Sequence, residues 1–235
     1  MTNLKNWNHY YNLEGTEQVR ANLVYTPYVS PDKKTFCMSF NREEGYHIYV
    51  HENFKWTDEL LSDRFNRELL FYARASKVVP TLDLVDVDTA NRRIFLKWHG
   101  DDFYMQGLTA NGYDNVLPNW QEQWTNLITT MWDANILKCS LHPNSWVAVD
   151  GVLTPFNWFF CFDKAETGIT IRSLLLQISD SRQDKLIEVL NSAGLDIDKP
   201  YASVDLQKVA LESFKSNYPE ELINNLIKKY NDLLS

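Results

Sequence analysis

The side chains best suited to chemistry are concentrated between residues 138 and 158. The run S-L-H-P-N-S-W occupies residues 140–146, and Asn157 follows twelve residues after Ser145. Hydroxyl, imidazole and amide groups can orient a substrate or a metal ion, but a serine hydroxyl cannot serve as a general base at neutral pH. Cys139 precedes Ser140, and the sequence places no base beside it. We therefore interpret Cys139 as a buried structural thiol.

Two other groups of residues are weaker candidates for chemistry. His47 and His51 stand four residues apart in a predicted strand, which puts them on one face but too far apart along it to favour a metal pair. The run H-G-D at residues 99–101 is rejected as a catalytic loop, because no helix precedes it and Gln106 stands where an asparagine is needed. We predict no metal site in either segment.

The eight glycines are too widely spaced to form a phosphate-binding loop. No two of them are separated by a single residue, and neither G-x-S-x-G nor H-E-x-x-H occurs. The loops of dinucleotide-binding folds, P-loop enzymes and ordinary protein kinases need closely spaced glycines, because their backbone must approach phosphate oxygens. Loops of these three kinds are therefore excluded.

The composition is that of an acidic globular protein of 235 residues, which corresponds to one large or two small domains. The net charge is −8 and the pI is about 5.1, so electrostatic binding to DNA, RNA or an anionic membrane surface is not expected. No apolar window is long enough for a membrane span, and the N-terminus lacks a secretory h-region. Three widely spaced cysteines indicate reduced thiols and predict a cytoplasmic location.

The first hundred residues are predicted to form mainly strands around one helix. Residues 57–75 place leucine and aromatic side chains at helical spacing. Thr57 is the expected N-cap of this helix, because its hydroxyl can accept a hydrogen bond from a free backbone amide of the first turn. The predicted strands are 20–28, 35–41, 46–51, T-L-D-L-V-D-V from residue 81 and R-R-I-F-L-K-W from residue 92.

The rest of the chain is predicted to be mostly helical. A helix begins at Asn119, and its apolar residues, starting with Trp120 and Trp124, recur on one face. Asp150-Gly151 is a strong hairpin signal between two short apolar runs. Further helices are predicted over 181–193, 204–216 and 220–234.

Together these elements predict an α+β fold with two lobes. The first lobe, over residues 1–98, contains five strands and one helix. A hinge and connector follow over 99–118, and the second lobe, over 119–235, is mostly helical.

The loop at 140–146 resembles the catalytic loop of the protein-kinase-like phosphotransferases. In the bacterial small-molecule and aminoglycoside branch of that family, the loop is D-L-H-P-x-N and an apolar strand follows it. The residues L-H-P at 141–143 match in register. The run N-W-F at 157–159 falls where the family has its metal-binding D-F-G motif, and the Asp150-Gly151 turn lies between the two, as it does in the family.

The resemblance covers residues 20 to 165 and extends to other positions. Glu68, in the run F-N-R-E-L-L-F-Y, resembles the glutamate of the N-lobe helix that pairs with the ATP-anchoring lysine. Trp98 begins the segment that corresponds to the hinge. What the resemblance implies is a two-lobed kinase-like fold with a residual cleft. The candidate residues of that cleft are Glu68, Trp98, His142, Asn157 and Trp158.

The departures from the family pattern point to a fold without its catalytic groups. Ser140 stands in place of the catalytic carboxylate, Ser145 in place of the metal-binding asparagine, and Asn157 in place of the metal-binding aspartate. Tyr49 or His51 stands in place of the ATP-anchoring lysine. Phosphoryl transfer depends on positioned metal ions and carboxylates, so we predict no catalytic residue and no metal site.

Two side chains of the candidate cleft have alternative interpretations. Because Glu68 has no lysine partner in the sequence pattern, a solvated helix position is favoured over a functional ion pair. Trp158 and Phe159 are either simple core residues or bulky side chains that fill a vacated nucleotide cleft.

We therefore predict a pseudokinase-like protein that acts by binding a macromolecular partner, and no cofactor. The chain also resembles kinase-like proteins of tailed phages, including those that infect marine cyanobacteria, which implies a regulatory role in host cytoplasm. The alternatives are a phosphotransferase that uses displaced carboxylates at Asp150, Asp163 or Glu166, a sensor that binds ATP without Mg²⁺, and a structural component of a phage particle. The oligomeric state is left open.

Overall fold

A computed structural model describes residues 4–9, 24–41, 57–100, 117–170, 196 and 198–234. Within these ranges the fold is α+β, with four α-helices and small antiparallel sheets. The helices are α1 (Asp58–Ala75), α2 (Trp120–Asp133), α3 (Ser203–Ser213) and α4 (Glu220–Leu234).

The largest sheet has five antiparallel strands in the order β1-β2-β3-β5-β4. The predicted strand at 46–51 lies outside the described residues. A strand that was not predicted, β1, forms one edge, and the register pairs Cys37 of β3 with Phe95 of β5. The strands are β1 (Asn8–His9), β2 (Thr26–Val29), β3 (Thr35–Ser39), β4 (Leu84–Asp88) and β5 (Arg93–Lys97).

Helix α1 begins where the sequence predicted. The Thr57 hydroxyl accepts a hydrogen bond of 3.2 Å from the Leu60 amide, and Asp58 and Glu59 lie in the first turn, where acidic groups favour the helix dipole. The buried face is not purely apolar. Arg64 and Glu68 lie on it beside Leu61, Phe65, Phe71 and Ala75.

Helix α2 leads into a series of short strands. The buried face of α2 matches the prediction, from Trp120 to Met131. Asp150 and Gly151 both have positive φ, 50° and 79°, as a two-residue hairpin turn requires. The paired strands are β6 (Leu137–Lys138) with β9 (Cys161–Phe162), β7 (Trp146–Val149) with β8 (Val152–Pro155), and β10 (Thr167–Thr170) with β11 (Pro200–Ala202).

The last two helices correspond to the segments predicted at 204–216 and 220–234. The helix predicted at 181–193 lies outside the described residues. No helix in the described part of the chain is both long and apolar enough to cross a membrane.

One large hydrophobic cluster joins the five-stranded sheet to the helical part. It contains Phe36, Met38 and Phe40 from and beside β3, and Phe65 from α1. It continues into α2, the short strands, α3 and α4. Since the side chains of β3 that face this cluster are all apolar, this side of the strand offers no cation to the interior.

Candidate functional site

Ser140, Ser145 and Asn157 are brought into direct contact. The hydroxyls of Ser140 and Ser145 share a hydrogen bond of 2.7 Å, and Nδ2 of Asn157 donates to Oγ of Ser145 at 3.3 Å. All three side chains are buried. These three side chains therefore form one connected, uncharged group.

Tyr25 completes this group, and sequence reasoning missed it. Its hydroxyl donates to Oδ1 of Asn157 at 2.9 Å. Its ring packs against Phe159 at 5.9 Å and Phe40 at 5.6 Å between ring centroids. We call the hydrogen-bonded set Tyr25, Ser140, Ser145 and Asn157 the hydroxyl–amide chain.

Local backbone structure positions these side chains. A 3-10 turn over Pro143–Ser145 leads into β7, and the Ser145 amide donates to the His142 carbonyl at 2.8 Å. Asn157 has a left-handed backbone, with φ of 62°, and it precedes the 3-10 turn Trp158–Phe160. Asparagine tolerates this conformation better than most residues, so its amide can serve both Tyr25 and Ser145.

Glu68 is not a solvated helix residue, and that interpretation is wrong. Its side chain is only 2% exposed, and its carboxylate accepts a hydrogen bond of 2.8 Å from the Phe159 amide. Burial raises the pKa of Glu68 to about 7, while the ammonium of Lys138 and the amides of Phe159 and Trp158 oppose the increase.

Lys138, which sequence reasoning also missed, provides the buried cation near Glu68. Its Nζ donates to the carbonyl of Phe156 at 2.6 Å and to that of Asn157 at 2.8 Å. The same ammonium lies 4.9 Å from the centroid of the Trp158 ring. Burial lowers the pKa of Lys138, and the charge of Glu68 is among the groups that oppose this. A lysine in the apolar run I-L-K-C was the available signal.

Arg64 holds the same segment from α1. Its Nη1 donates to the Phe159 carbonyl at 3.3 Å, and its guanidinium lies 4.6 Å from the centroid of the Phe160 ring. Burial lowers the pKa of Arg64 to about 10, so the group remains charged at neutral pH.

The other candidate cleft residues pack in different places. Trp158 is buried beneath Lys138, and Phe159 lies between Tyr25 and α1. Trp98 stacks on Phe36 at 5.5 Å, and Phe36 in turn contacts the Tyr25 ring. His142 is half-buried and packs edge-on against Phe214 at 6.0 Å. The structure therefore joins Glu68, Asn157 and Trp158 through one segment, while Trp98 and His142 make aromatic contacts elsewhere.

The carboxylates of the phosphotransferase alternative, Asp150, Asp163 and Glu166, do not converge on the hydroxyl–amide chain. Asp150 is exposed at the hairpin turn. Asp163 pairs with Arg74 at 2.6 Å, and Glu166 makes a two-point contact with Arg67, both arginines being on α1. Each of these two carboxylates is used to attach the 163–166 segment to α1.

The hydroxyl–amide chain consists of neutral hydroxyl and amide groups. No carboxylate belongs to the hydroxyl–amide chain, and the described residues contain no cluster of three His, Cys, Asp or Glu side chains that could hold a metal ion. Cys139 and Cys161 are buried, and burial raises the pKa of both thiols, to about 12 for Cys161. Neither thiol is therefore activated as a nucleophile.

Comparison with known proteins gives distant structural likenesses. No protein-family model matches the chain, and no curated protein does. Among solved structures, the co-crystal structure of WbdD and the kinase inhibitor LY294002 matches at 8% identity and a TM-score of 0.42. The match covers 83% of this chain and 44% of that one, so this chain spans less than half of its length. A TM-score below 0.5 at this identity carries no conclusion about the fold or the function of this chain.

Proposed function

We propose that this chain is a catalytically inactive, kinase-like protein that acts by binding a macromolecular partner. The observation that carries the proposal is the buried hydroxyl–amide chain, in which Ser140, Ser145 and Asn157 bond to one another and to Tyr25. These positions correspond to a general base and two metal ligands in the resembling family. Here they are occupied by neutral groups that use their hydrogen-bonding capacity on each other.

Two further contacts support the absence of catalysis. The buried ammonium of Lys138 donates to the Phe156 and Asn157 carbonyls and lies near two indole rings, which supports a structural role for this cation. Phe159 and Tyr25 occupy the space beside Asn157 with aromatic rings.

Because the side chains of the hydroxyl–amide chain are buried, we propose that the protein acts through its surface. The acidic charge of the chain disfavours nucleic acid and anionic membranes as partners, so a protein partner is proposed. The resemblance to kinase-like proteins of tailed phages supports a regulatory role toward a host protein in the cytoplasm. Two-lobed organisation is part of this proposal.

Thermal unfolding with and without millimolar ATP, each with and without Mg²⁺, tests the proposal. A ligand at about 100 times its Kd stabilises a protein by roughly 2.7 kcal/mol, which raises the Tm of a chain of this size by about 5–10 °C. We expect no shift under any condition. A Mg²⁺-dependent shift would restore the phosphotransferase alternative, and a shift with ATP alone would favour the nucleotide sensor.

An active small-molecule phosphotransferase, run in parallel, is the positive control for the assay.

Binding to a macromolecular partner, the second part of the proposal, needs a separate measurement. A protein captured from host lysate should bind the purified chain in solution with a defined stoichiometry, and heat-unfolded chain should not bind it. Recovery of the chain within purified phage particles would instead indicate a structural component.

A further inference from the structure

Three buried charged side chains hold the backbone of the segment Phe156–Phe160. Glu68 accepts from the amide of Phe159, and Arg64 donates to the carbonyl of the same residue. Lys138 donates to the carbonyls at the start of the segment. Backbone hydrogen bonds hold the two ends of the segment, from the Phe156 amide to the Ser145 carbonyl at 3.0 Å and from the Cys139 amide to the Phe160 carbonyl at 2.9 Å. Ionisable groups from α1 and β6 add the side-chain contacts to the backbone between these ends.

The position of this segment decides whether the hydroxyl–amide chain is closed. Asn157 and Phe159 are the two residues of the segment that contact Tyr25, by a hydrogen bond and by ring packing. Asn157 also contacts Ser145. Movement of the segment away from α1 would break all three contacts and expose the serine hydroxyls.

We propose that the Glu68 carboxyl is a proton-controlled switch that sets how firmly the segment Phe156–Phe160 stays closed over Ser140 and Ser145. The switch rests on the proposed function, because it describes regulation of the same closed site. Glu68 is suited to this role because it is the only acidic group that contacts the segment through a hydrogen bond within the described residues.

Titratable groups face Glu68 from the elements packed around it. Lys138 faces it from β6 and Cys161 from β9, and Arg64 lies one turn earlier on α1. The turn Trp158–Phe160 contributes no titratable side chain. Between about pH 5 and pH 8 the Cys161 thiol stays neutral, because its pKa is about 12. The Arg64 guanidinium stays charged, because its pKa is about 10. Lys138 is the one neighbour whose ionisation must be separated from that of Glu68.

The sign of the effect follows from proton linkage. Burial raises the pKa of Glu68 to about 7 in the closed form, whereas hydration in an open segment returns it toward its ordinary value of 4.5. Between these values the closed form binds more protons, so closure strengthens as pH falls. The ratio of open to closed segments rises by up to about tenfold per pH unit over that interval and is constant above it.

Hydrogen exchange measures this ratio. The exchange rates of the Trp158 and Phe159 amides are determined from about pH 5 to pH 8, and each is divided by the intrinsic exchange rate at the same pH. Wild-type protein should show protection that decreases as pH rises toward about 7 and then levels off. Glu68→Gln keeps the shape of the side chain without its charge, so its protection should be independent of pH and at least as high as that of the wild type at low pH. The amides of β3 provide an internal reference for global unfolding.

Glu59→Gln is the matched control, because Glu59 is an exposed glutamate on the same helix. It should retain the wild-type pH dependence. A pH dependence that persists in Glu68→Gln would assign the effect to Lys138 and overturn the switch. If Glu68→Gln does not fold, the NMR titration of the Glu68 carboxyl carbon decides the matter, and a pKa near 4.5 overturns it.

The two proposals fail in different ways. The exchange measurement uses neither nucleotide nor partner. A Mg²⁺-dependent ATP shift would overturn the absence of catalysis and leave the switch intact, whereas pH-independent protection in the wild type would overturn the switch alone.

Discussion

The hydroxyl of Tyr25 donates a hydrogen bond of 2.9 Å to Oδ1 of Asn157, although the two residues are 132 positions apart in the sequence. This bond connects the strand region of the chain to the segment that follows the β7–β8 hairpin. Because both side chains are buried, neither can exchange its partner for water without a change in structure.

Tyr25→Phe should therefore lower the free energy of unfolding by about 1–2 kcal/mol, because Oδ1 of Asn157 loses its donor while the aromatic packing is retained. Urea denaturation followed by circular dichroism measures the change. The control is Tyr201→Phe, whose hydroxyl accepts from the exposed amide of Asp196 and should cost less than about 0.5 kcal/mol. Equal losses in the two variants would contradict the buried bond.

Ser140→Asp, which introduces the carboxylate that the resemblance of the loop would place here, should destabilise the protein rather than activate it. The new carboxyl would be buried next to the Ser145 hydroxyl, and burial raises the pKa of such a group. We expect a loss of about 2–4 kcal/mol at pH 7. The penalty should diminish as pH falls toward 4, because the protonated form is less costly to bury.

Ser140→Asn is the matched control for that variant, since it has the same shape without the charge. Its stability should not change between pH 4 and pH 7 relative to the wild type. ATP turnover by Ser140→Asp above the background of this control would contradict the prediction that the new carboxyl destabilises the protein without activating it.

Glu166→Gln should weaken the attachment of the 163–166 segment to α1. The two-point contact with Arg67 is half-buried, so its loss should cost about 1 kcal/mol and the cost should decrease in high salt. Thermal unfolding at low and high NaCl measures both effects. Asp83→Asn removes a well-exposed ion pair with Lys97 and should change stability by less than about 0.5 kcal/mol.

Thr57→Ala should lower stability by about 0.5–2 kcal/mol, because the Leu60 amide loses the hydroxyl that caps α1. Chemical denaturation measures the loss. Thr57→Ser retains the hydroxyl and should recover most of it. If the serine variant is as unstable as the alanine variant, the contribution of Thr57 comes from its methyl group and not from capping.

Local structure was predictable where the signal lies within a few residues. The N-cap at Thr57 and the turn at Asp150-Gly151 occur as predicted, and α2 begins at Trp120, one residue after its predicted start. Each depends on hydrogen bonds or backbone angles that neighbouring residues determine. The same is true of the strands at residues 26–29 and 35–39, which are shorter than their predicted segments.

The interior of the candidate site was only partly predictable. The resemblance to the kinase-like catalytic loop links Ser140, Ser145 and Asn157 in one hypothesis, but it contains no information about Tyr25, which reaches them from a distant strand region. The sequence does not predict the burial of Glu68, because the predicted strand at 46–51 contains no lysine to pair with it. The cation that acts on Glu68 is Lys138, from β6. Charge burial of this kind depends on tertiary packing, which the periodicity of one segment does not show.

The burial of tryptophan has a practical consequence. Five of the eight tryptophans are among the largest fully buried side chains: Trp120, Trp124, Trp132, Trp146 and Trp158. Buried indoles emit at shorter wavelengths than hydrated ones, so unfolding should produce a large red shift in intrinsic fluorescence. The ammonium of Lys138 beside the Trp158 ring should make the emission of that ring sensitive to any displacement of its segment. The chain therefore contains its own optical reporters, and both global unfolding and local opening can be followed without a label.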